Sequence, residues 1–342
     1  MAQTHYRAYQ AVGEGKLELV DRAVEDPRPG MVRVVVEACG VCHTDALTVE
    51  GGFPGLSYPR VPGHEAVGRI DAIGEGVSRW AIGQRVGVGF LTGRCGDCAS
   101  CRRGDFVNCS NQAITGLHVD GGYAEMMTAS EHALVSIPDT MTSADAAPLL
   151  CAGVTTFNAL RKSVARAGDL VAVQGIGGLG HLAVQFARHM GFRTAAIARG
   201  EGKKDLALAL GAHLYIDSAA KDPAEALLEL GGASAIVATA SSPATFGPLI
   251  RGLRPKGQLI LVGAGFEPMS VNVSDMLFGE RIVVGTNTGA PIDIEDALNF
   301  SLLQDVRATI EKVPFQQAPK AYAKMLANEA RFRMVLEMQG AA

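Results

Sequence analysis

The sequence predicts a two-domain α/β protein, in which a partly open antiparallel β domain is followed by a doubly wound parallel sheet. Three observations support this prediction. The chain has 342 residues, 48% of them hydrophobic, whereas one domain takes about 150 residues. Residues 1–151 read as short strands and turns, and residues 152–288 alternate strands with helices. We therefore expect domains at 1–151 and 152–288, with residues 289–342 completing the first.

The first domain is predicted from β-rich segments that turn residues separate. The segments Val32–Glu37, Ala66–Ile73 and Arg85–Phe90 are rich in β-branched residues, as strands are. Glycine and proline favour turns and loops. They stand between the segments at Pro27, Pro29, Gly51, Gly52, Pro54, Pro59, Pro62 and Gly63. This pattern indicates an antiparallel sheet that carries loops.

The second domain is predicted to be a parallel sheet with helices on both faces, because strand and helix patterns alternate. Helices are expected at His181–Met190 and Lys204–Leu210, each followed directly by a glycine that can end it. Strands are expected near Leu170–Gln174, Thr194–Ala198, His213–Ile216, Ala235–Thr239, Gln258–Val262 and Ile282–Gly285. Residues from 291 on are expected to be helical again, and Arg331–Leu336 to rejoin the first domain.

Charge and composition exclude several classes of function. The formal net charge is -4 and there is no long basic run, whereas nucleic acids and anionic membranes need a clustered positive field. The first ten residues, MAQTHYRAYQ, contain no apolar run typical of a signal peptide. No segment approaches the about 20 apolar residues of a membrane span. We expect a cytoplasmic protein with a small-molecule partner.

Four of the seven cysteines stand close together in one loop. Their spacing is C-x2-C-x2-C-x7-C, formed by Cys95, Cys98, Cys101 and Cys109. One loop of this length can wrap a single tetrahedral zinc ion, which predicts a closed, structural site. A pair of disulfides is the alternative. Clusters of this kind in an intracellular chain favour metal over disulfides, because the compartment keeps thiols reduced.

A second set of ligand-type residues is dispersed along the chain. Cys42, His64 with Glu65, and Cys151 are spread over about a hundred residues. Three such ligands brought together by folding leave a fourth position open, as in catalytic zinc sites. Either cysteine alone is more often a small buried apolar residue. Cys39 is the remaining cysteine.

A glycine-rich segment predicts a dinucleotide site. The segment follows an apolar strand and begins a helix, which is the context that the dinucleotide fingerprint requires. Its glycines permit a tight turn and close approach of the backbone to a pyrophosphate, and the helix N-terminus offers unpaired N–H groups. The alternative is a simple glycine-rich turn. The residues are Gly175, Ile176, Gly177, Gly178, Leu179 and Gly180.

The end of the second strand of this domain bears on the choice of cofactor. NAD-binding proteins place an acidic residue there, which accepts a hydrogen bond from the ribose 2′-OH. Here Ala198 is followed by Arg199, and Lys203 stands four residues further on. Arg199 can pair with a 2′-phosphate through charge-assisted hydrogen bonds. We favour NADP; the alternative is that these cations are solvated and NAD is used.

Together these motifs resemble the zinc-dependent medium-chain alcohol dehydrogenases, most closely their microbial, often tetrameric branch. The resemblance covers nearly the whole chain. It implies a GroES-like catalytic domain, a Rossmann domain and a homo-oligomer, either tetramer or dimer. It implies two zinc ions per subunit, one structural and one catalytic. The residues that carry it are Gly40–Asp45, Gly63–Glu65, the four-cysteine loop, Cys151–Thr156 and Gly175–Gly180.

The resemblance also implies roles around the catalytic zinc. Cys42, His64 and Cys151 would hold the ion, and Glu65 would be an alternating ligand. Asp45 would orient the ring of His64 through its other nitrogen.

Other residues would serve substrate and cofactor. Thr44 would meet the substrate oxygen, although a threonine often bonds only the backbone of its own loop. Arg333 and His43 would lie near the cofactor phosphates. Phe53 and Phe90 would line the substrate cleft, with core packing as their alternative role.

The implied reaction is the reversible oxidation of primary or secondary alcohols to aldehydes or ketones, with hydride transfer to NAD(P). A zinc-bound alkoxide would form and Thr44 would relay its proton. The alternative is an NADPH-dependent aldehyde or ketone reductase. A zinc-free quinone reductase-like or crystallin-like protein is disfavoured because all ligands are present, and a nucleic-acid-binding zinc protein because the chain is acidic.

One position departs from the family. Many relatives carry a histidine five residues after the first cysteine ligand, where it passes the relayed proton to solvent. In this chain that position is Leu47. An apolar side chain cannot accept a proton, so the proton must leave by another route, such as water or His43.

Overall fold

The computed structural model of the protein describes residues 3–263, 265 and 267–338. These residues divide into two compact units. The first unit contains the described residues up to Val154, Thr288–Leu303 and those from Arg307 on. The second contains the described residues of Thr155–Asn287, and Gln304–Val306. Among the helices of all the described residues, none has the length and apolar character to cross a membrane.

The N-terminal part of the first unit is built mainly from strands. The strands are β1 His5–Gly13, β2 Lys16–Ala23, β3 Met31–Val41, β4 Ala66–Ile73, β5 Arg85–Val88, β6 Met126–Ser130 and β7 Leu134–Ser136. Three short helices lie among or after them: α1 Ala46–Val49, α2 Ala99–Arg102 and α3 Ser143–Ala146. The segment Ala66–Ile73 is a strand as predicted, and Val32–Glu37 lies within the longer β3.

Strands and helices alternate in the next part of the chain. The helices are α4 Ala152–Arg161, α5 Gly180–His189, α6 Lys204–Ala209, α7 Pro223–Glu229 and α8 Val273–Leu277. The strands are β8 Leu170–Gln174, β9 Arg193–Ala198, β10 Leu214–Asp217, β11 Ala233–Ala238, β12 Leu253–Leu261 and β13 Ile282–Gly285. All six predicted strands overlap these.

The C-terminal part contains α9 Pro291–Gln304, β14 Ile310–Pro314, α10 Ala318–Leu326 and β15 Arg333–Glu337. Helices were expected here, and the two strands add to them. β15 pairs antiparallel with β3, with Met334 opposite Val41. The end of the chain is therefore a strand of the first unit's main sheet.

The two larger sheets have the predicted character, and β1 and β2 form a separate two-stranded antiparallel sheet. In the first unit β14-β15-β3-β4-β5-β7 form a sheet in that order, with β6 also paired to β3, and all pairs except β14–β15 are antiparallel. The second unit has the parallel order β10-β9-β8-β11-β12-β13, which is that of a doubly wound dinucleotide-binding fold. The predicted fold class is confirmed.

Alternation along the strands explains where the cores lie, because successive side chains point to opposite faces of a sheet. In β3, Val32, Val34 and Val36 are buried in the core of the first unit. In β8, the neighbours Ala172 and Val173 belong to separate cores on the two faces of the parallel sheet.

Candidate active site and metal centres

The dispersed ligand-type residues meet at one end of the first unit's sheet. Cys42 directly follows β3, and His64 and Glu65 directly precede β4. β3 and β4 are antiparallel neighbours with Cys39 opposite Ala66, so the end of one and the start of the other lie side by side. Cys151 follows the 3-10 turn Ala147–Leu150.

The ligand atoms of these four residues form a compact group. One atom from each of Cys42, His64, Glu65 and Cys151 lies within 4.8 Å of those of the others. Both cysteines are free thiols. His64 Nε2 and Glu65 Oε2 are buried without a hydrogen-bond partner. Buried polar atoms are rarely left without a partner, and two sulfurs with an imidazole nitrogen are ligands that zinc prefers. The group fits a zinc ion.

The carboxylate of Asp45 fixes the orientation of His64. Its Oδ1 lies 2.9 Å from His64 Nδ1, and both side chains are almost fully buried. Asp45 also accepts hydrogen bonds from the backbone N–H of Cys42 at 2.9 Å and of Gly63 at 3.3 Å. Since Nδ1 is occupied in this way, Nε2 is the nitrogen left for a metal.

Electrostatics in the group favour a thiolate. The hydrogen bond from Cys151 lowers the pKa of Cys42 well below its ordinary value, and the same contact raises that of Cys151. Burial tends to lower the pKa of His64, but the negative charges of Asp45 and Cys42 outweigh it and hold that pKa well above the ordinary value. The negative charges of Asp45 and Cys42 therefore favour a positive charge within this group.

Glu65 forms a buried ion pair with Arg333. Arg333 begins β15, and its guanidinium contacts Glu65 Oε1 with 5% and 0% of the two side chains exposed. Burial raises the pKa of Glu65 to about 7, against the opposing charge of Arg333. Gly40 makes room for this carboxylate, because a Cβ there would lie 1.8 Å from Glu65 Oε2. The resemblance predicts that Arg333 lies near the cofactor phosphates. In this structure its guanidinium forms an ion pair with Glu65.

Three residues around the 3-10 turn His43–Asp45 were predicted to bear on proton transfer. Thr44 is half-buried, and its hydroxyl makes no hydrogen bond to any described residue, so it does not simply bond its own loop. His43 is exposed, and Leu47 is half-buried in α1. The hydroxyl of Thr44 is therefore available to another group.

The two predicted cleft phenylalanines lie in different surroundings. Phe90 packs edge-on against the ring of His64, with ring centroids 5.3 Å apart. Phe53 packs in the same manner against the exposed His118, at 5.5 Å. Phe90 is therefore in contact with the ligand group.

The four-cysteine loop also brings its sulfurs together. Cys95 Sγ lies 3.6 Å from Cys109 Sγ and 4.0 Å from Cys101 Sγ. A tetrahedron with Zn–S bonds of about 2.3 Å has edges of about 3.8 Å, so these separations suit a zinc ion. The backbone N–H groups of Cys101 and Ser110 lower the pKa of Cys98 to about 5. All seven cysteines are free thiols, so this loop contains no disulfide in the structure.

The glycine-rich loop of the second unit has the shape that a dinucleotide needs. Gly175 has a φ of 91°, and a Cβ on Gly180 would lie 1.7 Å from the Gly175 carbonyl oxygen. These two glycines make the tight turn and the close contact of helix with strand. A Cβ on Gly177 would meet no atom within 4 Å. The loop therefore faces open space at Gly177, where a pyrophosphate can approach the backbone.

The end of β9 carries the predicted cations in different roles. Arg199 is exposed and makes no hydrogen bond or ion pair with any described residue. Lys203 Nζ instead donates a hydrogen bond to the carbonyl of Ile176 at 2.8 Å. Asp217, at the end of β10, accepts a hydrogen bond from the N–H of Gly200 at 2.6 Å.

Two residues that the sequence did not predict, Asp217 and Tyr123, lie close to the candidate sites. Asp217 belongs to the strand beside β9, so the fold brings a carboxylate close to a strand end that itself has none. Its position at the end of the predicted third strand could have indicated this proximity, because neighbouring parallel strands end at the same edge of a sheet. Tyr123 donates its hydroxyl to Asp45 Oδ2 at 2.9 Å, and nothing local in the sequence indicates this contact.

The fold and the two ligand groups define a dehydrogenase with a zinc-binding catalytic domain. A family model described as "Alcohol dehydrogenase GroES-like domain" matches residues 28–139. A second family model, described as "Zinc-binding dehydrogenase", matches residues 178–302. The alcohol dehydrogenase patD of Penicillium expansum is 41% identical over 94% of each chain. An alcohol dehydrogenase of Geobacillus stearothermophilus is 38% identical over 96% of this chain and 98% of its own.

Solved structures agree. A cinnamyl alcohol dehydrogenase of Sorghum bicolor superposes with a TM-score of 0.90 at 30% identity, over 99% of both chains. The CAD of Helicobacter pylori, solved with NADP(H), gives 0.88 at 26% over 100% of both. The acetophenone reductase of Geotrichum candidum, solved with NAD, gives 0.87 at 27% over 98% of both. The chain belongs to the zinc-dependent medium-chain alcohol dehydrogenase family and is an oxidoreductase.

Proposed function

We propose that the protein catalyses the reversible oxidation of primary or secondary alcohols to aldehydes or ketones, using NADP or NAD. The observation that carries this proposal is the group formed by the buried Cys42 and His64 with the half-buried Cys151, in which His64 Nε2 has no hydrogen-bond partner. Three ligands with one position left open are typical of catalytic zinc.

Three groups of residues would bind the two zinc ions and the dinucleotide. Cys42, His64 and Cys151 would hold the catalytic zinc, with Glu65 as the alternating ligand, and the four-cysteine loop would hold the structural zinc. The loop Gly175–Gly180 would hold the dinucleotide. When bound, the zinc supplies a Lewis acid for the substrate oxygen and the nicotinamide supplies a hydride acceptor.

The protein's own side chains orient the site and move the proton. Asp45 keeps the ring of His64 in one orientation through Nδ1. Arg333 balances the charge of Glu65. Thr44 Oγ1 accepts the proton of the substrate hydroxyl and donates its own proton onward, for which its hydroxyl is available. Phe90 covers the ring of His64 and keeps water from that face.

A panel of primary and secondary alcohols, each assayed with NADP and with NAD, tests the proposed reaction. Alcohol-dependent reduction of the cofactor that is lost on zinc removal is expected. Turnover only of aldehydes or ketones with NADPH would favour the reductase alternative. Undiminished activity in zinc-free protein would contradict the proposal.

We also propose a preference for NADP, supported by the exposed Arg199 at the end of β9. The guanidinium is unpaired among the described residues and can form charge-assisted hydrogen bonds with a 2′-phosphate. The carboxylate of Asp217 beside Gly200 opposes this preference. Because that carboxylate already accepts the N–H groups of Gly200 and Ala219, we expect the effect of Arg199 to prevail.

Arg199→Ala is therefore expected to raise the KM for NADP by about tenfold or more, with little change for NAD, since a hydrogen bond to a charged group contributes about 1.5–3 kcal/mol. Initial rates with each cofactor measure this. Arg193→Ala removes the same group from the opposite, exposed end of β9 and should change neither KM. A wild-type kcat/KM that favours NAD about tenfold would overturn the proposed preference.

The proton route from Thr44 is tested by Leu47→His. A histidine at this position titrates near a pKa of about 6.5 and should add or shift an ionisation near neutral pH in the kcat profile. Thr44→Ala should lower kcat about a hundredfold or more in either background, because it removes the first proton acceptor.

The profiles are compared under conditions where a deuterated alcohol shows hydride transfer to be rate-limiting. If Leu47 only forms a wall of the substrate pocket, Leu47→His changes substrate preference and leaves the pH profile unaltered. That result would refute the interpretation that Leu47 interrupts the proton relay that a histidine provides in relatives.

A further inference from the structure

Tyr123 is a fully buried tyrosine whose hydroxyl reaches the hydrogen-bond network behind the ligand group. Its side chain is 0% exposed, and the hydroxyl donates to Asp45 Oδ2 at 2.9 Å. Its backbone is fixed on both sides: its N–H donates to the carbonyl of Pro62 at 3.0 Å, and its carbonyl accepts from the N–H of Tyr9 at 2.8 Å. The hydroxyl is thus held in one place.

The two oxygens of Asp45 are shared among four donors. Oδ1 faces His64 Nδ1 and the N–H of Gly63, and Oδ2 faces the N–H of Cys42 and the hydroxyl of Tyr123. Three of these donors belong to a ligand or to the residue beside one. Tyr123 is the donor that comes from another part of the chain, so it connects the carboxylate to a loop that is held by Pro62 and Tyr9.

The backbone around His64 is shaped to admit this ring. Gly63 has a φ of 102°, and a Cβ there would lie 2.5 Å from Cδ1 of Tyr123. The ring therefore packs directly on the residue that precedes His64. Burial and the charge of Asp45 raise the pKa of Tyr123 well above its ordinary value, so the hydroxyl stays a donor.

We propose that Tyr123 is a positioning residue for the catalytic zinc: its hydroxyl holds Asp45, Asp45 holds the ring of His64, and Nε2 therefore faces the metal. The inference rests on the proposed function, because it requires that Cys42, His64 and Cys151 bind zinc. Residues that support a metal ligand from behind change metal affinity by about 10–100-fold when mutated. Tyr123 acts through one further residue, so a smaller effect is expected.

The test measures the release of zinc from the intact enzyme to a chromophoric chelator. Tyr123→Phe keeps the ring and removes the hydroxyl, and we expect one zinc to leave about threefold to tenfold faster than in the wild type. The zinc of the four-cysteine loop should leave at an unchanged rate and serves as an internal reference. Cobalt substitution gives a second readout, since a reoriented imidazole alters the visible spectrum of the bound cobalt.

Tyr9→Phe is the matched control. Tyr9 is also buried, packs edge-on against Phe315 and donates its hydroxyl to the carbonyl of Gln316 at 3.0 Å. It does not touch Asp45. Loss of this hydroxyl should leave both zinc release rates as in the wild type.

A double-mutant cycle with Asp45→Asn tests the route of the effect. If Tyr123 acts through Asp45, adding Tyr123→Phe to Asp45→Asn should accelerate zinc release little further. Fully additive effects, or a release rate in Tyr123→Phe equal to that of the wild type, would overturn the inference. A wild-type protein with no zinc at Cys42, His64 and Cys151 would instead refute the proposed function itself.

Discussion

Replacement of Cys42 by alanine is expected to abolish alcohol oxidation and to remove one zinc ion while the chain stays folded. Cys42 has the lowered pKa of the group, so the substitution removes its favoured thiolate. A bound metal contributes several kcal/mol of charge stabilisation in the transition state, and each 1.36 kcal/mol is tenfold in rate. We expect kcat to fall about a thousandfold or more, measured together with zinc per subunit.

Cys39→Ala is the control for this substitution. Cys39 lies three residues earlier in β3 and is fully buried, and burial raises the pKa of its thiol well above the ordinary value. In the wild type Cys39 therefore remains a protonated thiol, which does not bind zinc. Cys39→Ala should leave both zinc ions bound and most of the activity intact. Full activity and unchanged zinc content in Cys42→Ala would show that the group does not bind the catalytic metal.

Replacement of Cys98 by alanine is expected to act on stability. The sulfur of Cys98 also caps α2, where it accepts the N–H of Cys101 at 3.4 Å, so the substitution removes a cap as well as a ligand. A closed zinc site contributes directly to folding. We expect a loss on the order of 2–3 kcal/mol, or roughly 5–10 °C in Tm by calorimetry.

Cys98→Ala should lose the zinc of the four-cysteine loop, which Cys42→Ala retains. The double variant should therefore lose both zinc ions. Asp97→Ala, at the exposed neighbouring position, is the control and should change neither zinc content nor Tm. An unchanged Tm in Cys98→Ala, with zinc still bound to the loop, would contradict a structural role.

Features that depend on neighbouring residues could be predicted from the sequence. The four-cysteine loop and Gly175–Gly180 carry their spacing locally, and β4 and β13 have the predicted bounds, Ala66–Ile73 and Ile282–Gly285. The dispersed cysteines and His64 could be grouped because their local motifs resemble those of a family. Cys42 and His64 lie together because of the register of β3 with β4, and Cys151 joins them from the 3-10 turn Ala147–Leu150.

Contacts between distant parts of the chain could not be predicted. Tyr123 lies 78 residues from Asp45, and Arg333 lies 268 residues from Glu65. The contact of Arg333 depends on the pairing of β15 with β3, and that of Tyr123 on a loop held by the backbone of Pro62 and Tyr9. No local pattern specifies either arrangement. Likewise, Asp217 lies near Gly200 only because β10 pairs with β9 in parallel register.

Zinc analysis of the purified enzyme, run beside its alcohol-dependent reduction of NADP and NAD, tests the central claim most directly. The two ligand groups, Cys42–His64–Cys151 with Glu65 and the four-cysteine loop, predict two zinc ions per subunit, with activity that follows the occupancy of the first group. Fully active protein that contains one zinc per subunit or none would contradict the account.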